Sequence, residues 1–100
     1  MNDYLLLMHN DVRSQAEADD PAAWATYLGR LQETGRFDGG SAIGPGACFR
    51  RAGPPAPGCA ALTGFLRVRA ASLDDARAFL EGNPTYEAGG TVELRLLPPD

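Results

Sequence analysis

Leu62-Thr-Gly-Phe-Leu-Arg-Val-Arg-Ala70 is followed by Ser72-Leu-Asp-Asp-Ala-Arg-Ala-Phe-Leu-Glu-Gly82, then Asn83-Pro-Thr-Tyr-Glu-Ala-Gly-Gly90, then Thr91-Val-Glu-Leu-Arg-Leu-Leu97. The pattern predicts a strand, a short capped helix, a turn-rich link and a second strand. In the first strand Leu62, Gly64, Leu66, Val68 and Ala70 alternate with Thr63, Phe65, Arg67 and Arg69, so one face is apolar and the other mixed. Ser72-Leu-Asp-Asp75 is a capping box with Asp in place of Glu, and Leu73, Ala76, Phe79 and Leu80 form the inward side of its helix. Gly82 and Asn83-Pro84 end that helix. In the last strand Val92, Leu94 and Leu96 face the helices, and Glu93 and Arg95 face away.

Outward from this stretch, Asp3 to His9 reads as a strand with apolar residues on both faces. Tyr4, Leu6 and Met8 point one way and Leu5 and Leu7 the other, which marks a central strand. His9 ends it on the Leu5/Leu7 side. Asn10 to Asp20 reads as a polar loop. Asp20 then caps a helix with Pro21 at its first position. Trp24, Tyr27, Leu28 and Leu31 make one stripe facing a core, and Gly35 is the expected left-handed residue after the helix. Phe37 to Ile43 is a weak strand whose Gly39-Gly40 suggests an edge, a bulge or a close backbone approach. Asp38 beside them reads as a turn residue. In the Gly/Pro-rich link that follows, Ala47-Cys48-Phe49-Arg50 suggests a short extra strand.

The order is βαββαβ, an α+β ferredoxin-like arrangement in a single domain spanning residues 1–100. Right-handed crossovers and the buried first strand give an antiparallel sheet of order 4-1-3-2 with both helices on one face. The other face carries Leu5, Leu7, His9, Thr63, Phe65, Arg67, Arg69, Glu93 and Arg95. It is too apolar to stay wet and too charged for a simple core. A face-to-face homodimer would cover it and leave a cleft lined by the charges.

Composition narrows the function. The 100 residues carry a formal charge of -4, and every basic residue is Arg. No basic stripe interleaved with aromatics appears, so nucleic-acid binding is not expected. No run of about 18 apolar residues appears, so no membrane partner is expected either. Met1 to His9 lacks a basic n-region, and the protein reads as cytoplasmic. Cys48 and Cys59 lack metal-ligand spacing and read as two reduced thiols, and no metal or other cofactor is expected.

His9 is the chain's one histidine. In the antiparallel order it falls near Thr63 and the start of the last strand, with Glu93 in reach, and a His–Glu pair can do acid–base work. His9 and Glu93 are therefore the candidate catalytic residues. Asp11, Thr63, Phe65, Arg67 and Arg95 are candidates for binding a polar small molecule. The competing readings are a hydrogen bond at a dimer rim for His9, core packing for Trp24 and Tyr27, and structural ion pairs for Arg67, Arg69 and Arg95.

Tyr4 to His9, Leu62-Thr-Gly-Phe65, Ala71-Ser-Leu-Asp-Asp-Ala76, Asn83-Pro84 and Gly89-Gly-Thr-Val-Glu-Leu-Arg95 together resemble the YCII-related family, more narrowly its DGPF subgroup, from Tyr4 to Pro98. The resemblance implies a dimeric α+β barrel of ferredoxin-like subunits. It implies a small enzyme, or by analogy an accessory to transcription associated with a sigma factor. Two positions depart from it. Ala52-Gly53-Pro54-Pro55 stands where the subgroup has Asp-Gly-Pro-Phe. The His and Asp that form an acid–base pair in the YciI-like branch correspond to Trp24 and Glu33, so that pair does not carry over. Two functions in different classes fit these residues: a small enzyme doing acid–base chemistry in a dimer cleft, and a non-catalytic interaction module.

Overall fold

The computed structural model describes residues 1–56 and 61–100. β1 (Asn2–His9) leads through a short α1 (Gln15–Ala18) into α2 (Pro21–Glu33) and β2 (Phe37–Ala42). After the long link come β3 (Leu62–Ala70), α3 (Leu73–Ala76), a 3-10 turn (Arg77–Leu80), α4 (Pro84–Glu87) and β4 (Val92–Leu97). The four strands form one sheet in the order β2-β3-β1-β4, with every neighbouring pair antiparallel.

The alternation in β1 decides what is buried. Tyr4, Leu6 and Met8 face the helices at 4%, 0% and 3% exposure, while Leu5, Leu7 and His9 are half-buried on the other side. Leu66, Val68 and Ala70 of β3 join them, with Tyr27 and Leu31 of α2 and with Ala76 and Phe79. Each side chain of this size fully removed from water contributes about 1.5–3 kcal/mol. The Tyr27 hydroxyl donates to the Phe79 carbonyl at 2.6 Å, tying α2 to the 3-10 turn inside the core. Burial raises the Tyr27 pKa, so the phenol stays a donor there.

α2 begins as its sequence dictates. Asp20 accepts from the Ala22 N–H at 3.0 Å, Pro21 takes the first turn, and Gly35 has φ 70°. β2 is an edge strand with an irregularity between Phe37 and Gly40. A Cβ on Gly40 would lie 2.3 Å from the Phe65 carbonyl oxygen, so β2 and β3 can approach this closely only with glycine there.

Five local expectations need correction. The polar run before Asp20 is not all loop. Ser14 accepts from the Glu17 N–H at 3.2 Å and caps α1, an N-cap that the polar composition concealed. Asn83-Pro84 does not merely stop a helix. Asn83, fully buried, accepts from the Tyr86 N–H at 3.1 Å and starts α4, by the same Asx-Pro logic as Asp20-Pro21. Ala47 to Arg50 form no strand, and Phe49 is 91% exposed, because flanking Gly and Pro leave no partner edge to pair with. Leu73 and Leu96 are each 51% exposed rather than inward, since the helix after Ser72 is a single α-turn that tightens to 3-10 and leaves the rim of the sheet uncovered. Cys48 is disulfide-bonded rather than a free thiol, a matter of loop geometry that spacing alone does not give; Cys59 lies outside the described residues.

Candidate functional site

The β1–β3 ladder breaks where β1 ends. Met8 pairs with Gly64, but His9 pairs with Leu62, leaving Thr63 as an extra residue on β3. A bulge re-aims a strand end. Here it is fixed by backbone bonds on both sides of β1: His9 N–H to Thr91 O at 3.0 Å and Asn10 N–H to Ala61 O at 2.8 Å. Across β1, β4 brings Glu93 opposite Leu7 and within reach of His9. His9 Nε2 and Glu93 Oε1 are 2.9 Å apart, and both side chains are partly shielded, at 19% and 31% exposure. A carboxylate only accepts, so Nε2 carries the proton and Nδ1 of a neutral His9 is the basic nitrogen. Glu93 also accepts from Arg95 Nε at 2.5 Å. The Arg95 bond, then the His9 bond, hold the Glu93 carboxyl below the usual glutamate range.

Beside His9 opens a cavity of about 370 Å³ between the helices and the β1–β3–β2 end of the sheet. Met8, Gly64 and Leu66 form its floor, and Ala18, Trp24, Leu28 and Phe37 its apolar walls. His9, Asn10, Gln15, Asp19, Ser41, Thr63 and Thr85 are its polar lining residues. Gly64 keeps the floor low, because a Cβ there would meet Met8 Cε and the Ser41 carbonyl at 3.1 Å each. Trp24 is both core and wall. It packs against the core cluster, meets Tyr27 edge-on with ring centres 6.0 Å apart, and donates its indole N–H to the Ala18 carbonyl at 2.6 Å.

The sequence-proposed residues thus divide. His9, Thr63 and Phe65 border the cavity, which lies on the helix side of the sheet and not in the cleft expected on the helix-free face, and Glu93 is outside its lining and bonds His9. Asp11 is held chiefly by Thr91 rather than by His9. It accepts from the Thr91 N–H at 2.8 Å and from the Thr91 hydroxyl at 2.6 Å, which holds its carboxyl below the usual aspartate range and clamps the entry to β4. Arg67 faces Asp3 at 3.6 Å, Arg69 bonds Asp38 at 2.9 Å, and Arg95 bonds Glu93, so these arginines stand in ion pairs away from the cavity. Sequence reasoning missed Gln15, Asp19 and Ser41. Only the Ser14 cap, which places Gln15 and Asp19 around one helical turn, signalled the first two.

The YCII-related domain model matches residues 3–98. The chain belongs to the YCII-related family. A solved structure of similar fold is the 5-chloro-2-hydroxyhydroquinone dehydrochlorinase from Burkholderia phenoliruptrix AC1100, in complex with 2,5-dihydroxybenzoquinone. It aligns at TM-score 0.57 and 19% identity, over 93% of this chain and 90% of that one. No curated protein matches the chain. Within this YCII-related chain, Trp24 stands where the resemblance puts a histidine and forms a cavity wall, whereas Glu33 is exposed near the end of α2, outside the cavity lining. Ala52 to Pro55 is exposed and also lies outside it. Among the described residues no helix is long and apolar enough to cross a membrane.

Proposed function

We propose that this YCII-related protein binds a small molecule in the His9-end cavity and that His9, oriented by Glu93, performs acid–base chemistry on it. The supporting observation is that His9 borders a 370 Å³ cavity with apolar walls and has its Nε2 held by the Glu93 carboxylate at 2.9 Å. A concave, mostly apolar site with a few polar groups is the usual form of a ligand pocket. An imidazole whose tautomer is fixed by a carboxylate is equipped to take and return a proton. The similar dehydrochlorinase fold was solved with a small cyclic ligand, which supports this class of occupant. No observation on the described residues favours an accessory role in transcription.

The working unit is a homodimer joined through the helix-free sheet face. Leu5, Leu7 and Phe65 are half-buried there amid Arg67 and Arg95, a surface that a second copy would cover. In solution the mass is that of two chains, and Phe65→Glu, which sets a charge in the contact, yields a monomer. A monomeric parent protein at micromolar concentration contradicts the dimer. For the pocket, a thermal-shift screen of small cyclic metabolites gives at least one that raises the melting temperature, since ligands of the native state stabilise it. A screen without a hit, or hits unaffected by changing His9, contradicts the pocket.

A further inference from the structure

We infer that the His9-end cavity takes an uncharged or cationic one- or two-ring ligand and excludes carboxylates. The inference rests on the reading of this cavity as the binding site and adds the charge class of its occupant. Among the described residues that line the cavity, Asp19 carries a charge and none is an arginine. Three arginines of the sheet that might have held an anion are engaged with Asp3, Asp38 and Glu93. Any proton that His9 takes up is offset by Glu93 at 2.9 Å.

Two other anion-binding devices are closed as well. The start of α2 is capped by the Asp20 carboxylate, which accepts from the Ala22 N–H. The Trp24 indole N–H is committed to the Ala18 carbonyl at 2.6 Å, so the residue offers an occupant its ring and no donor. An aromatic ring face is electronegative and attracts cations. Asp19 receives a bond from Gln15 Nε2 at 3.0 Å on one oxygen and adds negative potential at the mouth. A carboxylate entering here would shed water and gain no cation, whereas a hydroxyl or an ammonium meets acceptors.

Size sets the rest. A dry cavity of about 150 Å³ holds benzene, so about 370 Å³ accommodates two fused rings with a short substituent.

Three matched probes test this on the intact protein: 1-naphthylmethanol, 1-naphthylmethylamine and 1-naphthoate. Calorimetry gives affinity, and the amide-region signal of the indole N–H, from the chain's single Trp, reports the place of binding. The alcohol and the amine bind and move the Trp24 signal, while the naphthoate binds at least tenfold more weakly. Asp19→Asn narrows the advantage of the amine over the alcohol by about two- to fivefold, as expected for one solvent-exposed charge. Naphthoate binding as tightly as the alcohol, with the Trp24 signal moved, overturns the charge selectivity and leaves the pocket standing. No binding by any of the three overturns both.

Discussion

The two ends of the sheet are built from the same strands and use their polar residues in opposite ways. At the end where β1 begins and β3 finishes, charges are consumed by charges. Arg69 bonds Asp38 and the Gly35 carbonyl, Arg67 faces Asp3, and Arg36 bonds Asp75 at 3.2 Å while lying over the Phe79 ring. Asp75 in turn accepts from the Ala71 N–H at 2.9 Å. At the other end a bulge re-aims the strand, glycines keep the floor low under a wall of Trp24, and several polar groups border a hollow as well as each other. Abundant charge on a sheet is therefore a poor guide to a site; a polar rim on an apolar hollow is a better one.

The largest expected effect comes from forcing β2 and β3 apart. Gly40→Ala puts a Cβ against backbone, 2.3 Å from the Phe65 oxygen and 3.0 Å from Leu66 Cα. It costs about 3 kcal/mol, the upper part of the range for overpacking, and shows as a lowered denaturation midpoint. Next is Trp24→Ala. It removes a half-buried wall and the bond to Ala18, costing about 2 kcal/mol of stability and at least tenfold in affinity for a ring-bearing ligand, read by calorimetry.

Acid separates the ends further. Glu93 and Asp11, both beside His9, have carboxyls held below their ordinary values of 4.5 and 3.8. Folded values below unfolded ones mean that their stabilisation is complete above about 4.5 and is lost as pH falls through the lower folded values. Melting scans from pH 6 to 2 therefore show a fall that is smaller in Glu93→Gln. The smallest effect is at the closed end. Asp38→Asn breaks a half-exposed pair with Arg69, costs under about 1 kcal/mol and leaves ligand affinity unchanged.

The sequence made the frame readable because each strand writes its buried face in alternation and the Asp20-Pro21 start and Gly35 stop bracket the long helix. It concealed the short elements. Ser14-to-Glu17 and Asn83-Pro84 carry sound caps, but α1 and α4 are only one turn each, too brief to show a hydrophobic period. The His9–Glu93 pair was legible from register, since antiparallel neighbours on either side of β1 bring their ends together. The cavity was not. It depends on how far α1 and α2 stand off the sheet, which side-chain volumes decide in three dimensions. For the same reason the bond of Asp11 to Thr91 was not foreseen, and Trp24, for which core packing was weighed against a ligand role, is both core and wall.

The most direct measurement is a titration of the parent protein with 1-naphthylmethanol followed by NMR of the His9 ring and the Trp24 indole N–H. The cavity account predicts that both signals move together along one saturation curve and that the calorimetric affinity matches it. Calorimetric binding that leaves both signals unmoved would place the ligand elsewhere and return His9 and Glu93 to a purely structural bond.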